Sequence, residues 1–236
     1  MKLTIADREH FQDKGYFLKV SSVQKELVAK ARFEIESKID YWRESGDYGI
    51  ENISYKELSQ ALSPRIKIRS GIDEGMIDVF HADKLGLDGL DSLIRTSKPA
   101  IEESIFSLNR QIRLTNINLY LNKSESGIPT RQMHFDCFQQ KIKVFIYLTD
   151  VNSSDDGPYA YVSGSHRWFF RRYTQFIKNK ITSKRWSDFN LFSIKDQTSL
   201  FTAPAGTVIY SDQRGLHCGL PQVPGHQRFV LVFNFE

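Results

Sequence analysis

Sulfur is scarce in this sequence, with two cysteines and three methionines among 236 residues. Two cysteines, Cys137 and Cys218, do not make a disulfide framework and point to a reducing compartment. No run of ~18 apolar residues, the length that spans a bilayer, occurs anywhere. In the opening MKLTIADREHFQDKGYF, acids arrive before any apolar stretch, so a secretory leader is not expected. There is no internal repeat, low-complexity tract or linker, which excludes solenoids and tethered arrays. What is left is a cytoplasmic chain without membrane contact as the expectation. Hydrophobic residues at 40% and charged residues at 25% are those of an ordinary globular protein. The length suits one domain.

Periodicity divides that domain, 1–236, into a helix-rich scaffold (1–110) and a β core (111–236). From Ser22 to about Trp42, Val23, Leu27, Val28, Ala31, Ile35 and Ile39 recur at helical steps, with Ser22 as a candidate N-cap. A second helix is expected over about 90–108, with Pro99 marking a break or a start. From Gln111 the period becomes two. In Asn116 to Asn122 the apolar side chains fall on one face and the amides on the other. Further strands are expected at 132–138, 141–149, 160–162, 207–210, 216–219 and 228–235, separated by turns such as Asp-Asp-Gly-Pro (155–158) and Ala-Pro-Ala-Gly (203–206). Short strands between Gly/Pro turns predict a jelly-roll with helices packed on one sheet.

Within the β core, His134 and Asp136 stand two apart, so on a strand they share a face. His217 follows 83 residues after His134, and Arg228 eleven after that. Two imidazoles and one carboxylate form the ligand set of a non-haem Fe(II) oxygenase, which leaves metal positions open for an oxygen-activating reaction. In the last strand Arg228, Val230, Val232 and Asn234 lie opposite Phe229, Leu231, Phe233 and Phe235. The phenylalanine face needs cover, which turns Arg228 inward. A buried guanidinium is suited to a dicarboxylate co-substrate through a bidentate, charge-assisted pair. Taken singly, each histidine reads more readily as a hydrogen-bonded structural residue; it is the order of the motifs that favours a site.

The segments KVFIYLTDVNSSDDGPYAYVSGSH (143–166) and AGTVIYSDQRGLHCGLPQVPGHQRFVLVFNFE (205–236), together with the H-x-D triplet, resemble the phytanoyl-CoA dioxygenase family of Fe(II)/2-oxoglutarate-dependent oxygenases. The likeness extends over about 111–236. It implies a double-stranded β-helix, a metal held by His134, Asp136 and His217, and Arg228 on the distal carboxylate of 2-oxoglutarate. The implied cofactors are Fe(II), 2-oxoglutarate and O2, with release of succinate and CO2. Halogenating relatives lack the carboxylate that stands here as Asp136, so hydroxylation is the implied outcome. Asn118 resembles a position that contacts 2-oxoglutarate in the ectoine hydroxylase branch; its other reading is a solvated strand amide. Many relatives carry a hydroxyl residue where this chain has Gly219.

Lys143 shares a face with Phe145 and Tyr147, where it reaches either co-substrate or substrate, or snorkels to solvent. Both cysteines directly follow a candidate ligand and read as packed thiols. His166 reads as a structural turn residue and His226 as an exposed hairpin residue. His81 starts a second His/Asp pair, but lacks a partner histidine and arginine. The stretch 167–187 holds seven basic side chains and no acid, so it accounts for the whole net charge of +4. With Arg131 it forms a candidate positive rim for a small anionic substrate; the alternative is a solvated helix burying Phe169, Tyr173, Phe176 and Ile177. A nucleic-acid-directed oxygenase, which would stack bases on those aromatics, and a non-redox metal-binding jelly-roll such as an isomerase or sugar-binding module stay open as other readings. Oligomeric state is not legible.

Overall fold

The period-two segments assemble into two facing antiparallel sheets, described in a computed structural model over residues 2–44, 57–58, 60–69, 76–123, 133–182 and 197–236. The larger sheet has seven strands in the order β1 (Tyr16–Lys19), β8 (Val208–Asp212), β5 (Ile142–Tyr147), β10 (Gln227–Phe235), β4 (Leu114–Lys123), β3 (Ile77–Phe80) and β2 (Arg65–Ile68). The smaller has the order β7 (Thr198–Phe201), β6 (Tyr159–Val162) and β9 (His217–Gly219). Three strands of the larger sheet come from the scaffold half, which therefore contributes β structure as well as helices. Each is four residues long, too short for alternation to announce it.

Parity sorts the larger sheet into two chemistries. Ile117, Leu119, Leu121, Phe229, Leu231, Phe233 and Phe235 face outward and are buried under helices α2 (Lys25–Glu44) and α3 (Asp88–Leu108), which supply Val28, Ala31, Ile35, Ile39, Leu90, Leu93 and Ile101 to the same core. This is the cover that the phenylalanine face required. Glu34 on α2 accepts hydrogen bonds from the backbone N–H of Gly89 (2.7 Å) and Leu90 (3.3 Å). It serves the α3 N-terminus, where Leu87 offers no side-chain cap. Ser22 does not cap α2, which begins at Lys25; its hydroxyl instead donates to the Lys19 carbonyl.

Pro99 lies inside α3 rather than at its start. Both Pro99 and Arg95, whose carbonyl loses its partner there, are exposed, so the lost hydrogen bond falls on the solvent side of the helix. Among the described residues no helix is long and apolar enough to cross a membrane.

The inner faces of the two sheets meet in a second core of Phe145, Tyr147, Tyr159, Tyr161, Ile209 and Val232. Behind the smaller sheet, Phe135, Ala160, Val162 and Cys218 form a third cluster, onto which α4 (Phe169–Ile181) packs Phe176. The functional candidates lie between the sheets.

Candidate metal centre and its cavity

His134 does not begin a regular strand. It makes one isolated bridge with His217: each backbone N–H donates to the other's carbonyl, at 3.0 and 2.8 Å. Because β9 begins at His217, the chain after His134 has no strand to pair with, and Asp136 N–H donates to the Gln213 carbonyl in the turn after β8 (3.0 Å). The expected strand at 132–138 is thus a bridge and a bend; Gln132 and Arg131 lie outside the described residues. Phe135 turns away into the cluster behind the sheet, leaving its two neighbours on the inner side.

Ligand atoms of His134, Asp136 and His217 lie within 4.8 Å of one another. His134 Nε2 is 3.6 Å from Asp136 Oδ1, and His217 Nε2 is 3.7 Å from Oδ2. The imidazole of His217 is oriented by its own turn. Its Nδ1 lies 2.9 Å from the Gly215 carbonyl, which only accepts, so the proton sits on Nδ1 and the Nε2 lone pair faces the cluster. Any residue could supply that carbonyl, but only glycine fits here, since a Cβ would collide with the Tyr161 hydroxyl. Burial pushes the Asp136 carboxyl up, but the Lys143 ammonium and the imidazoles of His217 and His134 outweigh it and hold it well below the usual carboxylate range. The cluster offers two imidazole nitrogens and one carboxylate to a divalent ion. Among the described residues no other group of His, Cys, Asp and Glu has such a geometry.

Lys143 does not snorkel. Its Nζ donates to Asp136 Oδ2 at 2.8 Å. Burial lowers its affinity for the proton, while Asp136 raises it by more and keeps the ammonium charged.

Arg228 is 7% exposed and shares a cavity of about 340 Å3 with the three clustered residues, Phe145, Tyr147 and Val230. The absence of a side chain at 219 acquires a meaning here. A Cβ on Gly219 would stand 2.7 Å from Nη2 of Arg228, so the guanidinium lies where a hydroxyl residue would begin. Asn122, directly opposite Arg228 in the β4–β10 register, lines the same cavity. It is 1% exposed, and neither amide atom has a hydrogen-bond partner among the described residues. Such a group is costly unless something else meets it. Sequence reading singled out Asn118, four residues earlier on the same face. Asn118 is buried, not solvated; its Oδ1 accepts from His81 N–H (3.3 Å), and it lines an adjoining cavity instead. Parity alone does not separate the two amides, whereas register with Arg228 does.

The other candidates have structural roles. His166 Nε2 meets the Gln12 carbonyl at 3.0 Å, as expected of a turn histidine. His226 is not free in its hairpin but contacts Asp156 (2.7 Å). His81 is buried at a left-handed backbone position and joins no metal-like cluster among the described residues. Both cysteines are buried thiols, and burial with nearby Asp136 pushes Cys137 up to about 12. In the basic stretch, α4 lies behind the smaller sheet, and none of its residues lines the 340 Å3 cavity. Phe169, Tyr173 and Ile177 are exposed, and it is Arg172 that is buried, donating to the carbonyls of Ser165 (3.1 Å), His166 (2.7 Å) and Arg214 (2.6 Å).

No protein-family model matches the sequence, and no curated protein matches it. Solved structures do match by shape. The non-heme alpha ketoglutarate dependent epimerase SnoN from nogalamycin biosynthesis is 16% identical at a TM-score of 0.65, covering 98% of this chain and 81% of that one. HygX from Streptomyces hygroscopicus, with nickel and 2-oxoglutarate bound, is 14% identical at a TM-score of 0.60, covering 100% and 87%. The non-heme alpha ketoglutarate dependent carbocyclase SnoK, also from nogalamycin biosynthesis, is 16% identical at 0.58, covering 98% and 84%. At these identities the likeness establishes the fold, a jelly-roll of two antiparallel sheets with helices packed on the larger one.

Proposed function

We propose that this protein is a non-haem Fe(II)/2-oxoglutarate-dependent dioxygenase that hydroxylates a small molecule, releasing succinate and CO2. One observation carries the reading: the His134, Asp136 and His217 cluster and the Arg228 guanidinium face the same cavity. The donor set suits a divalent first-row ion, since His217 is held in the right tautomer and Asp136 is ionised. Bound Fe(II) would supply oxygen activation at the expense of the 2-oxoacid, chemistry that belongs to the cofactor pair.

The chain's own residues do the rest. Arg228 pairs with the far carboxylate of 2-oxoglutarate, and Asn122 donates to it or to the adjacent chain from the neighbouring strand. Phe145, Tyr147 and Val230 wall the cavity and exclude water, which strengthens those charge-assisted contacts. Asp136 supplies the carboxylate that, by the family resemblance, separates hydroxylation from halogenation. The epimerase and carbocyclase among the structural neighbours mark the other outcomes that product analysis would tell apart.

The test is turnover without a known substrate. Protein supplied with Fe(II), ascorbate and O2 is expected to release succinate slowly from 2-oxoglutarate, and to bind 2-oxoglutarate anaerobically only when metal is present. Absence of both release and binding would sink the reading. A small anionic substrate, which the basic stretch suggested, finds less support at the cavity than an uncharged one. Arg69 and Lys143, two cations at the cavity, are engaged by Asp78 and Asp136.

A further inference from the structure

A second cavity, of about 510 Å3, adjoins the first and shares Tyr120, Asp136, Lys143 and Gln213 with it. Its floor is the even-numbered face of β4 continued across β10. Asn116 and Asn118 stand two apart on β4, and Asn234 pairs with Asn116 on one side and Lys143 on the other. Gln213 closes the shared wall and Gln60 stands at the rim. Five carboxamides therefore converge on one chamber beside the carboxylate of the candidate metal centre.

Four of these amides use one end on the protein. Asn234 Nδ2 donates to Asn116 Oδ1 (2.7 Å), Asn118 Oδ1 accepts from His81 N–H (3.3 Å), and Gln213 Nε2 donates to Ser211 Oγ (3.0 Å). The opposite ends, Asn116 Nδ2, Asn118 Nδ2, Asn234 Oδ1 and Gln213 Oε1, have no hydrogen-bond partner among the described residues. Gln213 Oε1 has no accessible surface, on a residue with 0% exposure, so it stands behind the wall and the ends open to the chamber are those of the three asparagines. The chamber thus presents separate donors and acceptors at fixed positions. A hydroxyl group, donor and acceptor at once, matches either kind, and neighbouring hydroxyls match an amide's two ends. The nearby ions are matched within the protein: Lys141 lies 2.6 Å from Glu236, and Lys143 2.8 Å from Asp136. An anion would have to compete with those carboxylates, whereas an uncharged polar ring would not.

We infer that this second cavity is the chamber for the primary substrate and that it takes an uncharged ring bearing several hydroxyl groups, of the saccharide or cyclitol class. The inference rests on the proposed function only in calling the bound molecule a substrate. The volume admits a ring of monosaccharide size and lies within the range of small-molecule sites.

Saturation-transfer NMR tests it, with methyl α-glucopyranoside and myo-inositol as probes and gluconate and cyclohexanol as comparators. The measurement is run on the protein alone and on protein loaded with Ni(II) and 2-oxoglutarate, whose own binding is followed by calorimetry. Transfer to at least one polyol is expected, falling about fivefold or more in Asn116→Ala and in Gln60→Ala, with 2-oxoglutarate affinity unchanged. Gln60 is exposed, so its variant keeps the test valid if Asn116→Ala fails to fold. No transfer to either polyol, transfer indifferent to both substitutions, or transfer confined to gluconate or to cyclohexanol would each overturn the inference. If 2-oxoglutarate does not bind but amide-dependent transfer persists, the chamber stands and the oxygenase reading falls.

Discussion

Lys143 Nζ and Asp136 Oδ2 lie 2.8 Å apart, so a half-buried ammonium occupies one lone pair of the carboxylate that a metal would need. The same oxygen faces His217 Nε2 at 3.7 Å. Lys143 therefore acts on a cation in two ways: it competes for Oδ2, and it repels through a partly desolvated interior. Without metal it is the group that compensates the carboxylate. Removing one partner of such a pair strands the other.

Lys143→Met is expected to tighten Mn(II) or Ni(II) binding by about tenfold, roughly 1.4 kcal/mol. The metal-free protein should meanwhile lose about 1–3 kcal/mol of stability. Competition titration with a chelating dye and paired thermal melts with and without metal read both effects. Unchanged or weaker metal binding in a folded variant would mean that Lys143 does not compete for the carboxylate.

Acid should act at Asp156 by a route separate from the metal centre. Burial pushes this carboxyl up, but the contact with His226 and the backbone N–H groups of Asn152 and Ser153 outweigh it, and its folded value lies below the ordinary 3.8. The unfolded chain thus takes the proton first as pH falls. The stabilisation is complete above the unfolded value and is lost as pH drops through the lowered folded one. Asp156→Asn should lower the urea midpoint at pH 7, and by less at pH 3. An equal difference at both would remove the carboxylate from the acid response.

Arg172 carries a prediction about stability alone. It is 2% exposed and serves three backbone carbonyls, with its guanidinium 5.9 Å from the Phe135 ring centre. Arg172→Met would leave those acceptors buried without a donor, at a cost of about 3 kcal/mol or more in denaturant unfolding. Exposed Arg171→Met should cost within about 0.5 kcal/mol. Equal effects would return Arg172 to the solvated charges of its helix.

What sequence reveals and conceals follows the same division. The metal-like cluster and Arg228 were legible because their argument needs only residue type, order and strand parity, and all three survive even though His134 makes a bridge rather than a strand. That Asn122, rather than Asn118, shares the cavity of Arg228 is not legible in sequence, because it depends on the pairing of Arg228 with Asn122, a property of two strands about a hundred residues apart. The basic stretch misled for a related reason. Composition counts Arg172 as surface charge and Phe169, Tyr173 and Ile177 as a buried face, whereas the turns beside α4 offer carbonyls to the arginine and the cluster behind the sheet takes Phe176 from this helix. Strands β2, β3 and β7, at four residues each, carry too few alternations to stand out.

Gly219 tests the co-substrate end of the cavity. A methyl group there would approach Nη2 and Nη1 of Arg228 at 2.7 and 3.3 Å, and the atoms that must yield are the tip of a flexible side chain. Since no positive φ is required at this position, Gly219→Ala should fold with stability near that of the parent, within about 0.5 kcal/mol. Displacing the guanidinium by about 1 Å is enough to cost 10- to 100-fold in an oriented interaction. The expected result is a KM for 2-oxoglutarate raised by that order with metal affinity unchanged. Arg228→Lys, which keeps the charge and loses the fork, should show the same split between co-substrate and metal. If Gly219→Ala binds 2-oxoglutarate as the parent does while Arg228→Lys does not, the guanidinium has room to retreat without losing its ligand. If neither substitution changes 2-oxoglutarate binding, Arg228 is not the carboxylate anchor, and the co-substrate reading of the cavity shared with His134, Asp136 and His217 loses its main support.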